Sequence, residues 1–117
     1  REPEQLLPVN IVILLIGDGM GSHHLAAAWA ANRGRLFIEN CPVTGIAKTW
    51  CRDKLVTDSA AAGTAMATGT KTLYKRVATC PEGNKLDSLI DKAKDMEKST
   101  GVVVTCELND ATSLLRQ

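Results

Sequence analysis

Aromatic side chains are almost absent from this chain: Trp29, Phe37, Trp50 and Tyr74 are all it has, 3% of the residues. Single-stranded nucleic acid is gripped on aromatic platforms interleaved with basic residues, and four scattered rings do not build one. A charge of one sign is missing too. Fourteen basic residues stand against thirteen acidic ones, a net of +1, so no overall excess draws the chain to nucleic acid or an anionic membrane. Long apolar runs are also lacking. The longest, residues 25–31, is far shorter than the roughly 20 residues that a spanning helix needs. No basic stretch with an apolar segment and a small-residue cleavage site opens the numbering, and a start left by a removed signal would look the same. These absences argue against a nucleic-acid partner and a transmembrane segment. Cysteines are few and far apart, at 41, 51, 80 and 106. No CxxC or zinc-knuckle spacing results. Two disulfides in any of three connectivities, or four buried thiols, both remain open.

What is present suits a folded domain. Apolar residues make up 44% and charged ones 23% of 117 residues, the composition and size of one domain with a core. Residues 1–9 read as a lead-in arm. Residues 11–16 form an unbroken apolar run that suits a strand covered on both faces, as in a parallel sheet. A glycine-rich turn holding Asp18 ends it, and Ser22 is placed to cap a helix over 23–31 that closes near Gly34. Alternation over residues 44–50 predicts a second strand. Small residues follow Asp58 and Ser59 as a helix that Gly69 stops. Residues 81–84 form a turn. Leu86, Leu89, Ile90, Ala93 and Met96 recur at helical spacing up to Gly101, and 102–105 read as another buried strand. The order of elements predicts an α/β fold, a mostly parallel sheet flanked by helices. The chain ends on what reads as the first turns of a further helix.

In open α/β sheets, ligands sit beyond the carboxyl ends of the strands, and three polar clusters fall at such places. Asp18 lies between glycines that let a carboxylate approach a ligand or metal without Cβ interference; a turn and helix cap explains it equally. Ser59 opens a helix, where backbone N–H groups and the positive dipole end favour an anion that its oxygen could attack. Capping by Asp58 or Ser59 is the competing explanation. No histidine stands at an evident base position, so a serine nucleophile here would need a metal to lower its pKa. Asp110 and Thr112 bracket a strand-to-helix junction and suit a hard cation such as Mg²⁺, with capping again as the alternative. His23 and His24 point about 100° apart on a helix and lack a third ligand at the usual spacing.

Three strings together resemble the alkaline phosphatase family: NIVILLIGDGMG at residues 10–21, VTDSAAAGTA at 56–65 and ELNDAT at 107–112. The second is similar to that family's nucleophile signature, the third to its magnesium-site segment. The likeness runs over nearly the whole chain from residue 10. It implies a metal-dependent phosphate monoester hydrolase working through a phosphoserine on Ser59. It implies Asp18 as the bridge between a zinc and the magnesium, Ser59 facing the bridged zinc, and Thr112 as a magnesium ligand. Asp110 would hold magnesium-bound water, and Asp58 would help orient the phosphate-binding arginine. Two zinc sites and one magnesium site are expected, with a homodimer and a periplasmic, secreted or cell-surface location.

The likeness also sets limits. Family members are several-fold longer, and their remaining zinc ligands, the magnesium glutamate and the phosphate-clamping arginine lie beyond the matched region. Arg116 falls short of that arginine's place, and Ser113 stands where many relatives have proline. The chain therefore reads as a truncated N-terminal part of one alkaline phosphatase catalytic domain, with an alkaline-phosphatase-like sheet, and is expected to be inactive alone. The alternatives are a related phosphodiesterase or sulfatase-like hydrolase, and a non-catalytic α/β module binding an anion at the Ser59 helix.

Overall fold

The structure, a computed structural model, describes residues 9–105. The chain divides into two compact units, Arg1–Asn40 and Cys41–Gln117. The first holds helix α1 (Ser22–Ala31) and a 3₁₀ helix, Phe37–Asn40. The second holds α2 (Ser59–Thr68) and α3 (Leu89–Asp95).

In the first unit, Gly21 rather than Ser22 is the N-cap of α1. Glycine has no side chain to cap with, and the imidazole of His24 accepts the Gly21 N–H on Nδ1 at 3.2 Å instead. The helix closes at Asn32, whose N–H reaches the Ala28 carbonyl at 2.9 Å. Gly34, with φ 74°, then donates to the Trp29 carbonyl at 2.7 Å. A Cβ at Gly34 would meet the Trp29 ring at 3.1 Å, a tight contact added to the strain of the positive φ. The 3₁₀ helix was not foreseen. It starts where the Glu39 carboxylate accepts the Leu36 N–H at 2.6 Å.

In the second unit, α2 keeps its expected bounds because every signal for it is local. Asp58 caps it, alanines fill it, and Gly69 ends it in the left-handed region at φ 74°. Ala60, Ala61, Gly63, Thr64 and Ala67 are its buried positions. Side chains this small let residues 70–78 lie close, and Thr64 fixes that approach. Its hydroxyl lies 2.9 Å from the Ala60 carbonyl and 3.3 Å from that of Arg76, and it accepts the Ala78 N–H at 3.0 Å. The other buried members are Cys51, Ala78, Thr72 and Ser88. The turn at 81–84 is present: Cys80 donates to the Asn84 carbonyl at 2.8 Å and Gly83 to that of Cys80 at 2.9 Å. Helix α3, which touches α2, begins at Leu89 rather than Leu86. Ser88 caps it, while the Leu86 N–H goes to the Ala78 carbonyl at 2.8 Å.

The expected parallel sheet is not there. Among the described residues no strand forms, and β pairing is confined to two isolated antiparallel bridges, Cys51 with Lys54 and Thr79 with Lys85. Runs 11–16, 44–50 and 102–105 are all irregular. Most of their side chains are exposed: Val12 is 84% exposed, Ile46 99% and Val103 98%, while Ile16, Val102 and Val104 are half-buried. The physical reason is that a central strand is made by its neighbours. It needs a hydrogen-bonded ladder along its edges and helices over both faces. An apolar run states only that burial would be favourable, and none of these three has the cover that would realise it.

Candidate active site

Asp58 and Ser59 are the sequence-predicted residues that the structure brings together, at the start of α2. Asp58 is extended, with φ −105° and ψ 175°. Its carboxylate accepts the Ala60 N–H at 3.3 Å, the Ala61 N–H at 3.4 Å and the Lys75 N–H at 3.0 Å. Its carbonyl accepts the Ala62 N–H at 3.0 Å and the Thr57 hydroxyl at 3.1 Å. Of the two explanations open for this corner, capping is the one realised by Asp58. The first-turn N–H groups that an incoming anion would use are thereby engaged by the protein's own carboxylate. Ser59, half-buried, is the first residue of the helix.

Lys75 is the residue that sequence reasoning missed. It is a non-glycine residue at φ 60°, a conformation that costs of order 1–3 kcal/mol and persists where its surroundings impose it. Asp58 holds its N–H, and Thr64 holds the segment on both sides of Val77 through Arg76 and Ala78. Asp58 and Lys75 lie 17 residues apart, so no local pattern announces the contact. Next to it, the Tyr74 N–H donates to the Asp53 carboxylate at 2.8 Å. That bond is the main reason the Asp53 carboxyl sits below its usual pKa; desolvation opposes it, and the Cys51 thiol, the residue's own backbone and Lys54 add smaller lowering effects.

The remaining candidates are not among the described residues of the second unit. Asp18 is exposed, in a turn of the first unit in which the Met20 N–H reaches the Gly17 carbonyl at 3.2 Å and Gly19 supplies φ 65°. Asp110 and Thr112 lie outside the described residues, as does Cys106. Cys41, Cys51 and Cys80 are free thiols, the second of them buried. Among the described residues no three His, Cys, Asp or Glu side chains converge to hold a metal ion. None of the described helices is long and apolar enough to cross a membrane.

Comparison with known proteins places this arrangement in context. A family model described as alkaline phosphatase matches residues 9–114. The chain is similar to alkaline phosphatase 4 of Bacillus subtilis, 40% identical over 113 residues, 89% of this chain and 24% of that protein. It is 38% identical to streptomycin-6-phosphate phosphatase of Streptomyces griseus over 90% of this chain and 25% of that protein. To the alkaline phosphatase of Escherichia coli K12 it is 37% identical over 90% of this chain and 24% of that protein. The chain thus spans about a quarter of the length of the curated relatives it matches. No solved structure matches it.

Proposed function

The chain belongs to the alkaline phosphatase family, and from that premise we propose that it contributes the nucleophile to the hydrolysis of phosphate monoesters, with Ser59 as the attacking residue. The observation that carries this reading is the position of Ser59 as first residue of α2, directly behind the Asp58 cap. Residues at a helix start stand in the positive field of the aligned peptide dipoles, which favours negative charge on an attacking oxygen and on the phosphoryl group it approaches.

In the first step the Ser59 Oγ bonds to phosphorus as the bond from phosphorus to the ester oxygen breaks. The serine proton is lost and the alcohol leaves protonated. In the second step water attacks phosphorus, the bond to Oγ breaks, and orthophosphate and the serine hydroxyl are restored. Asp58 acts on this indirectly. By engaging Ala60, Ala61 and Lys75 it sets where the helix begins and hence where Ser59 stands.

The described residues do not by themselves fit a zinc or magnesium site, since no three donors converge. In this reading Asp18, Ser59 and Thr112 each give an oxygen toward such ions, with Asp110 holding bound water and further ligands coming from beyond the matched region. The chain is then the N-terminal part of one catalytic domain. Export to the periplasm, the medium or the cell surface, and a homodimer, go with the same reading.

The test is a chimera in which this chain replaces the matching segment of the Bacillus subtilis relative. The chimera is expected to hydrolyse an aryl phosphate at alkaline pH, and Ser59→Ala is expected to lower kcat by a hundredfold or more, on the order seen when nucleophiles are removed. Mass spectrometry after an acid quench should find phosphate on the peptide holding Ser59. An active chimera that keeps its rate with alanine at 59 overturns the assignment.

A further inference from the structure

The basic residues of the second unit are not spread evenly. Segments 48–54 and 71–76 are joined where the Arg52 N–H meets the Thr72 carbonyl at 2.8 Å. Together they carry six of the chain's fourteen Lys and Arg side chains and one acidic residue, Asp53. The two arginines are near the 81–84 turn: the Cys80 thiol holds the Glu82 carboxyl below its usual pKa with Arg52 as a minor contributor, and a Cβ at Gly83 would lie 3.6 Å from an Arg76 guanidinium nitrogen. The Lys71 ammonium is satisfied locally, 3.6 Å from the centroid of the Trp50 ring and 2.7 Å from the Trp50 carbonyl.

Lys54 and Lys75 are arranged differently. Both ammonium groups lie on the same ring, Tyr74, at 3.9 and 5.7 Å from its centroid. They are therefore within about 10 Å of each other, close to one screening length in physiological salt, and they repel. The Asp53 and Asp58 carboxylates accept backbone N–H groups, Asp53 that of Tyr74 and Asp58 those of Ala60, Ala61 and Lys75, and both keep their charge, which Asp53 sets against Lys54. Two cations gathered around one ring are a place where one multiply charged anion gains from both.

We infer that Lys54 and Lys75, paired on Tyr74, form a subsite for a second phosphate group of the ligand, so that molecules carrying two or more phosphates are preferred over singly phosphorylated ones. The inference rests on the phosphatase reading for the identity of the first phosphate. Its location follows from the chain itself, because the backbone N–H of Lys75 is bonded to Asp58, the residue immediately before Ser59.

The test is calorimetric titration of the chain with inorganic tripolyphosphate and, separately, with orthophosphate. Tripolyphosphate is expected to bind about tenfold more tightly or better, and the double variant Lys54→Gln/Lys75→Gln to remove that advantage. Orthophosphate affinity should change less than twofold in the same variant. Lys54→Arg/Lys75→Arg should keep the preference, which separates lost charge from lost folding. Equal tripolyphosphate affinity in the wild type and the glutamine pair overturns the subsite. Ser59→Ala separates the two readings. If the chimera keeps its rate with alanine at 59 while tripolyphosphate binding depends on the lysines, the nucleophile assignment falls and the subsite stands.

Discussion

At the scale of single residues, two buried threonines make opposite statements. Thr64 is 5% exposed, and its hydroxyl accepts the N–H of buried Ala78 while lying within reach of two carbonyls. Thr72 is fully buried, and its hydroxyl has no hydrogen-bond partner among the described residues. A buried group deprived of its partner costs about 1–3 kcal/mol, whereas removing an already unpartnered one recovers part of that cost. Thr64→Val should therefore lower stability by about 1–3 kcal/mol. Thr72→Val, of nearly the same shape, should leave it unchanged or raise it by up to about 1 kcal/mol. Urea midpoints at constant slope measure both, and two shifts of the same sign would refute the contrast.

At the scale of elements, the helices owe their bounds to caps, and one cap is sensitive to acid. At the start of α3 the Ser88 hydroxyl donates to the Asp91 carboxylate at 2.7 Å and the Ser88 N–H at 2.8 Å. The hydroxyl is the larger cause of the lowered Asp91 pKa, ahead of the N–H. With a folded pKa below the unfolded one, the contribution is fully present above the unfolded value and is lost as pH falls through the folded value. Amide signals of residues 89–95 should thus show α3 fraying below about pH 4, and Ser88→Ala should flatten that dependence. A profile unchanged by the alanine would remove Asp91 as its source. Caps and stops of this kind could be read in advance: Asp58 before the alanines, Gly69 after them, the turn at 81–84. Leu86 could not be excluded from α3, because only its bond to Ala78, eight residues back, takes it away. Lys75 was hidden for the same reason, its partner lying in another segment. The strands failed for the opposite one. Residues 11–16 do carry a strand's composition, but composition cannot supply the neighbouring strand, and Val12 is left bare. Of the candidate site, the Asp58 cap was readable because its signal is local, while Asp18 belongs to the first unit and Asp110 and Thr112 fall outside the described residues.

At the scale of the whole molecule, the conflict is between a small core and large uncovered side chains. Among the described residues the buried apolar ones are alanines and Cys51, whereas Ile11, Val12, Ile13 and Leu15 are each more than three-quarters exposed. Burial of each such aliphatic side chain would contribute roughly 1.5–3 kcal/mol, so the chain has a strong drive to cover them. A net charge of +1 offers little repulsion to stop copies from meeting. Exposed β-branched runs without a charge are the usual start of intermolecular pairing. The chain is expected to scatter light increasingly with concentration at neutral pH, and Val12→Lys should reduce the scattering several-fold. Scattering that does not respond to a charge at position 12 would place the adhesive surface elsewhere.

The Asp58 cap has one more consequence. Since the amides that open α2 are already held by a carboxylate, an anion arriving there trades places with another anion instead of filling a gap. Its affinity is then a difference between two similar attractions, and small. If Ser59 passes phosphate to water, the departing orthophosphate yields those amides back to the Asp58 carboxylate.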